Sequence, residues 1–333
     1  MIQKFIKLLS FGSVFTNAAF TAIPGQTCGV SDSGLRIVGG QEATDSTEFP
    51  WQAKFKPCWD FGVLSCSLCG ATLISELWLV SAAHCTAQQG STSVSVSDSQ
   101  ITIGGIVGGF NAEAGIQSRF LVAIEDHPQY VSVSQGHDIT LLKVASAIIF
   151  SSEVHPACLP KENDCFAEGS ETWISGFGAV EYEGNIADTQ KFAMVPIYNL
   201  NECRQTYNNF DESTQVCAGY AAGGTDACQG DSGGPLAVSY NDVWYLYGVT
   251  SYGVECATAG FPGVYARVTN YSAFLNFCWL FFSIKFHLKI IFLEKPPRDP
   301  FFNNFLRNGG PFFFTKQFFE RTVCRLYFEY DAG

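Results

Sequence analysis

Between about residue 37 and residue 270, short runs of β-branched and aromatic residues alternate with clusters of Gly, Ser, Asn and Pro. Examples are Thr72-Leu73-Ile74, Ile139 to Val144, Val243 to Thr250 and Gly263 to Val268. Runs this short, interrupted this often by turn-forming residues, predict an all-β barrel or sandwich. No internal repeat of fixed period is visible. One short helix is expected, beginning near Tyr271, where a loop gives way to an apolar-periodic segment. From Phe277 the pattern changes to Phe-rich, Lys-containing sequence such as Phe281-Phe282-Ser283-Ile284-Lys285 and Pro311-Phe312-Phe313-Phe314. Residues 277–293 are long enough to resemble a membrane span, but Lys285, His287 and Lys289 fall inside it and each is costly at bilayer depth. The expectation for 277–333 is therefore a divergent tail rather than an anchor.

Charge sharpens this division. Residues 37–276 hold eight Lys and Arg against twenty-five Asp and Glu, a net charge of −17, whereas the last 57 residues carry eight against five. So negative a body repels nucleic acid and anionic membrane, which excludes partners held through phosphates, and it steers cationic substrates inward. The N-terminus carries Lys4 and Lys7, an apolar stretch from Leu8 to Phe15 and small residues at Ala18 and Ala19, the layout of a secretory signal over residues 1–19. That apolar run is far shorter than the roughly 20 residues a bilayer requires, so removal is expected rather than anchoring. Thirteen cysteines without metal-site spacing read as disulfides formed in an oxidising, extracellular compartment, with at least one left over.

Peptide hydrolysis by a hydroxyl needs a nucleophile, a base, a group that holds the base in the right tautomer, and donors for the developing oxyanion. Gly230-Asp231-Ser232-Gly233-Gly234-Pro235 sets Ser232 between glycines that permit a tight turn, exposing its hydroxyl and aiming the amides of Gly230 and Ser232 at one point. Leu79-Val80-Ser81-Ala82-Ala83-His84-Cys85 places His84 at the end of an apolar strand, beside a cysteine able to fix it. Asp138, in His137-Asp138-Ile139-Thr140-Leu141-Leu142, opens an apolar strand where a half-buried carboxylate would accept the imidazole proton. Singly, each segment has an ordinary reading as a turn, a structural histidine or a cap.

Together, in the order His84, Asp138, Ser232, the segments resemble the chymotrypsin/trypsin family over roughly residues 37–276. The resemblance implies two packed antiparallel six-stranded β-barrels with a short C-terminal helix and the triad in the cleft between them. It also implies a zymogen. Arg36-Ile37-Val38-Gly39-Gly40 is similar to the family's activation site, so residues 20–36 would form a propeptide. Cleavage after Arg36 would free an ammonium at Ile37 to pair with Asp231. In the same frame Asp226 occupies the pocket floor of trypsin-like members, and Gly253 and Gly263 match its wall glycines, which implies cleavage after Arg or Lys. Ala227, where many trypsins carry a hydroxyl, favours arginine. Ser251-Tyr252-Gly253 resembles the segment that pairs with substrate backbone. Tyr252 in place of the usual Trp and Glu255 at a usually small position are departures.

Family pairing implies Cys69–Cys85, Cys203–Cys217, Cys228–Cys256 and a propeptide tether Cys28–Cys158, with Cys58 and Cys66 stapling an insertion of their own. Another family disulfide is replaced at both ends, by Thr172 and Val238, and Cys165, Cys278 and Cys324 have no assigned partner. The loop after Gly104, which carries paired carboxylates in calcium-binding trypsins, offers only Glu113, too few oxygens for a calcium cage. No metal and no cofactor are expected. The implied partners are protein or peptide substrates, an activating protease and protein inhibitors, with the enzyme a monomer. Few Lys and Arg for self-cleavage, and no regulatory domain before Arg36, point to a digestive role. The alternatives are an extracellular cascade protease or a catalytically silent homologue used for binding.

Overall fold

The computed structural model describes residues 27–31, 41–108, 115–162 and 164–275. Arg36, Ile37, Glu113, Cys278 and Cys324, the segment 1–19 and the tail 277–333 lie outside them.

A first group of strands, β2 (Gln52–Lys56), β5 (Cys69–Ser75), β6 (Trp78–Ser81), β7 (Gln100–Ile103), β8 (Gln117–Asp126) and β9 (Thr140–Val144), closes in the order β2-β5-β6-β9-β8-β7 into a barrel. Its interior is filled by alternating side chains such as Phe55, Leu73, Leu79, Ile101 and Leu141, each at most 1% exposed. Between β2 and β5 the chain inserts a two-stranded hairpin, β3 (Cys58–Asp60) and β4 (Leu64–Cys66).

The second group follows the order β1-β11-β10-β13-β14-β15-β12, formed by β1 (Gln41–Glu42), β10 (Glu171–Gly176), β11 (Lys191–Pro196), β12 (Gln215–Ala218), β13 (Pro235–Tyr240), β14 (Val243–Tyr252) and β15 (Gly263–Arg267). The sheet curls until the end of β11 meets β12, through the Ile197–Ala218 bridge and the Gly219 amide on the Pro196 carbonyl at 2.9 Å. Six strands thus make the second barrel, and β1 adds a seventh, short strand against β11. Val195, Leu236, Tyr247 and Tyr265 fill it, all inaccessible to solvent.

The four runs named from the sequence fall on β5, β9, β14 and β15, but the pattern misses one helix. Helix α1 (Leu200–Thr206) is capped by the Asn199 side chain, which accepts from the Glu202 amide at 3.0 Å. It buries only Cys203, too little to leave an apolar period in the sequence. Near Tyr271 the chain makes a 3-10 turn, Val268–Tyr271, and continues helically through 272–275, close to the expected C-terminal helix.

The barrels meet through Trp51 and Trp244, with ring centroids 5.8 Å apart, and through Phe49 and Phe192 at 5.1 Å. The backbones also approach closely at Gly70 of β5, where a Cβ would stand 2.7 Å from the Gly234 Cα. Only glycine lets the first barrel touch the turn that carries Ser232.

Candidate active site

Strand register builds the His–Asp pair. Antiparallel pairing of β6 with β9 sets Ser81 opposite Thr140, so the residues just past Ser81 meet those just before Thr140. His84 lies in the 3-10 turn Ala83–Cys85 and Asp138 two residues before β9. Asp138 is 1% exposed, and its carboxylate takes three hydrogen bonds. The His84 amide donates to Oδ1 at 2.8 Å, the His84 Nδ1–H to Oδ2 at 2.8 Å and the Ser251 hydroxyl to Oδ2 at 2.5 Å. An ionised carboxylate only accepts, so Nδ1 carries the imidazole proton and Nε2 is left with a free lone pair. The sequence pattern suggests a half-buried acid at 138; full burial is possible because the fold brings three donors to it.

Ser232 sits on the opposite barrel in a turn made by glycines with positive φ, Gly230 at 98° and Gly233 at 80°. The Ser232 carbonyl accepts from the Gly70 amide at 2.7 Å, fixing the turn against the first barrel. Among the described residues, neither the Gly230 amide nor the Ser232 amide is taken by a protein acceptor. Cys85, paired to Cys69, joins the two halves: its sulfur lies 3.8 Å from His84 Nε2 and 3.6 Å from the Ser232 carbonyl. A Ser232–His84 hydrogen bond is not among those of the described residues; such bonds are often long before a substrate is bound.

Beside Ser232 opens a pocket lined by Asp226, Ala227, Ser251, Tyr252, Gly253 and Gly263. These are the residues the sequence reading groups there. Asp226 accepts from the Ala227 amide at 2.8 Å and the Ala257 amide at 3.4 Å, yet burial pushes its carboxyl up to about 6. A Cβ on Gly263 would stand 2.6 Å from the Asp226 carboxylate, and one on Gly253 3.7 Å from it. The glycines therefore leave the charge open to the pocket. Tyr252 packs edge-on against Tyr207, ring centroids 5.5 Å apart. Glu255 lines the rim, exposed and with φ 58°.

One pocket residue escapes sequence reading. The Tyr265 hydroxyl is buried with no hydrogen-bond partner among the described residues, and it stands 2.9 Å from where a Gly263 Cβ would be. Its only signal in the sequence is that of another aromatic in a strand.

Asp231 points away from this pocket. Its carboxylate accepts from the Gly178 amide at 2.7 Å and the Cys228 amide at 3.1 Å, and burial pushes it up to about 6. The residue keeps some accessible surface, but its carboxylate is enclosed by the backbone of Gly176 and Gly178. Next to it lies a cavity walled by Ile174, Gly176, Phe192 and Ala193.

The five disulfides expected are formed: Cys28–Cys158, Cys58–Cys66, Cys69–Cys85, Cys203–Cys217 and Cys228–Cys256. The tethered segment also pairs by backbone, Gly29 donating to Pro156 at 2.8 Å and accepting from Trp244 at 3.0 Å. Thr172 and Val238 are both buried on neighbouring strands, in a register that continues Trp173–Ala237. Cys165 is a free, exposed thiol.

Residues 37–275 match the family described as Trypsin. The chain is 35% identical over 262 residues to the venom serine protease Bi-VSP of Bombus ignitus, covering 73% of this chain and 69% of that protein. It is 35% identical over 237 residues to coagulation factor XI of Bos taurus, covering 71% and 36%. It is 39% identical over 256 residues to transmembrane protease serine 9 of Rattus norvegicus, covering 75% and 23%. The chain thus spans most of the venom protein and about a third or less of the other two. No helix among the described residues is long and apolar enough to cross a membrane. With its barrels, its His–Asp pair and this match in agreement, the chain belongs to the trypsin family of serine proteases.

Proposed function

We propose that the protein is a secreted serine endopeptidase, made as a zymogen and activated by cleavage after Arg36, that hydrolyses peptide bonds following arginine and, less well, lysine. The observation that carries the reading is the buried Asp138 carboxylate, which holds His84 through Nδ1, while His84 Nε2 and the Ser232 carbonyl lie 3.8 and 3.6 Å from the one Cys85 sulfur.

In the reaction, the Ser232 oxygen attacks the scissile carbonyl carbon while its proton passes to His84 Nε2. The carbonyl π electrons move onto oxygen, where the Gly230 and Ser232 amides donate to them. Collapse breaks the C–N bond as His84 returns the proton to the leaving amine. Water, deprotonated by His84, then attacks the acyl-enzyme, releasing the acid and restoring Ser232. Asp226 selects the residue before the bond, because a guanidinium fork can engage its carboxylate directly even with Ala227 beside it.

Activation follows from Asp231. A carboxylate held among amides, beside a cavity whose mixed walls include Ile174, Phe192 and Ala193 along with Ser175, Lys191 and Thr225, is suited to an ammonium carried on an isoleucine, which the new N-terminus at Ile37 would supply. That ion pair would hold the backbone of residues 228–232 in the shape that forms the oxyanion site. Breaking one partner of a buried pair costs about 3–5 kcal/mol, enough to keep an uncleaved chain off. The Cys28–Cys158 disulfide would leave the cut propeptide attached.

Purified precursor treated with an arginine-cleaving protease should gain arginyl-amidase activity and label at Ser232 with an organophosphonate. Ser232→Ala should lose about 10⁶-fold in kcat. Arg36→Gln should stay inactive, and full activity in that uncleaved variant overturns the zymogen. A processed chain that refuses the label is a silent homologue. A digestive role is favoured by the eight Lys and Arg of residues 37–276, which offer few sites for self-digestion. The coagulation factor among its relatives supports the second reading, a cascade protease.

A further inference from the structure

The β3–β4 hairpin is used by none of the chemistry above, yet it is built as a rigid platform. Cys58–Cys66 closes it, the Ser67 amide donates to the Pro57 carbonyl at 3.0 Å, and Trp59 is buried beneath it. The Trp59 indole N–H donates to the Ala87 carbonyl at 3.3 Å, two residues beyond Cys85. Its upper side shows the reverse character. Phe61, Val63 and Leu64 are 53, 80 and 51% exposed, three large apolar side chains on one tip. The single charge there, Asp60, is occupied by the Gly62 amide at 2.8 Å. Apolar groups held rigidly in water by a disulfide fit a binding surface better than a loop left over from folding.

Position names the occupant. The chain leaves the hairpin through Ser67 to Leu68, whose Cδ2 lies 3.4 Å from where a Gly230 Cβ would stand, beside the oxyanion turn. The leaving amine takes its proton from His84 Nε2, and the Cys85 sulfur 3.8 Å from that atom is bonded to Cys69, the residue after Leu68. Leu68 and the hairpin therefore stand on the leaving-group side, outside the pocket that takes the residue before the scissile bond. From Leu68 back to Leu64 is about 13 Å of extended strand, the reach of about four substrate residues. We propose that the tip of the β3–β4 hairpin binds large apolar side chains of the substrate from about the third residue after the scissile bond onward. This rests on the peptidase reading and adds a second selection to the arginine preference.

Two peptides decide it, identical through the arginine and the next two residues and then ending in either Leu-Phe-Leu or Ser-Gly-Ser. In activated Ser232→Ala protein, fluorescence anisotropy should give about tenfold tighter binding of the apolar peptide. Combining Phe61→Ser, Val63→Ser and Leu64→Ser should abolish that difference, while in the Ser232 background the same triple change leaves hydrolysis of a small arginyl anilide unaltered, which also shows that it folds. Equal affinities in the parent, or a difference surviving the triple change, overturn the proposal. So does finding that the triple change dissolves a dimer in sedimentation or abolishes vesicle binding, since the tip then serves a second copy or a lipid surface. If the parent fails to cleave the anilide, the peptidase reading falls, and the two affinities still judge the hairpin.

Discussion

Asp138, just before β9 of the first barrel, and Asp226, between β12 and β13 of the second, are both largely sequestered carboxylates, yet the fold treats them oppositely. Asp138 receives the His84 amide, the His84 imidazole and the Ser251 hydroxyl. Asp226 receives two backbone amides, one of them long, and burial lifts its carboxyl to about 6. One charge is completed by the protein and, in the proposed reaction, would serve every substrate alike. The other is left in deficit, which a cation arriving from outside can remove. On the proposed function, catalysis and selectivity are separated by how fully the chain itself satisfies each acid.

The comparison breaks most visibly at Asp138. In Asp138→Asn the side-chain amide would donate toward the imidazole, driving the proton from Nδ1 to Nε2 and removing the base. Hydrolysis of arginyl, lysyl and apolar substrates should fall alike, by about 10⁴-fold in kcat, with KM little changed. A loss confined to cationic substrates would reverse the roles given to the two acids.

Asp226→Asn should do the converse. It keeps the shape of the pocket and removes the charge, so kcat/KM on arginyl and lysyl amides should drop about 10³-fold, as for an unpaired buried partner. An unspecific phenylalanyl ester should be cleaved no more slowly than before. Steady-state kinetics on the three substrates, side by side for both variants, give the contrast directly.

Much of this was legible in the residues. The three motifs, taken together in family order, pointed to residues of which the fold brings His84 to Asp138; four of the five disulfides followed from family pairing and Cys58–Cys66 from its insertion. What was not legible depends on approach between distant strands. Nothing near Tyr265 marks it as a pocket residue, because the pocket it faces is completed by Asp226 and Ser251 from other parts of the chain, and Gly263, two residues before it on β15, leaves its hydroxyl room. That the Ser251 hydroxyl turns to Asp138 depends on a fold that brings together residues 113 positions apart in the chain. Helix α1 hides for another reason: with Cys203 alone buried, the capping Asn199 and the first-turn acid Glu202 were its clearest signal.

A smaller effect sharpens the same contrast in stability. The folded carboxyl of Asp226 lies near 6, above the ordinary 3.8, so between about pH 4 and 6 the folded chain keeps a proton that the unfolded chain has lost. Stability from this group is therefore present below pH 4, falls as pH rises through that window, and stays low above 6. Asp226→Asn removes the penalty. With allowance for residual solvent screening, it should stabilise the unliganded enzyme by about 1–2 kcal/mol at pH 7.5, a rise of roughly 2–6 °C in Tm, and by nothing at pH 3.5. A benzamidine-type cation should narrow the gap by stabilising only the parent. Calorimetry at the two pH values reads both effects.

The mildest test lies one residue along. Ala227 lines the pocket next to Asp226 and brings no hydroxyl to it. A guanidinium spans the distance to the carboxylate with two parallel hydrogen bonds, whereas the shorter-reaching lysine ammonium, with three donors around one point, needs another acceptor nearby. Ala227→Ser supplies that acceptor. Lysyl kcat/KM should rise about five- to tenfold, the worth of one hydrogen bond to a charged group, while arginyl turnover changes less than about twofold. Matched arginyl and lysyl peptides measure the ratio. Because Asp226 is untouched, a shift in the ratio isolates the acceptor from the charge, and an unchanged ratio would place the arginine preference in the carboxylate alone.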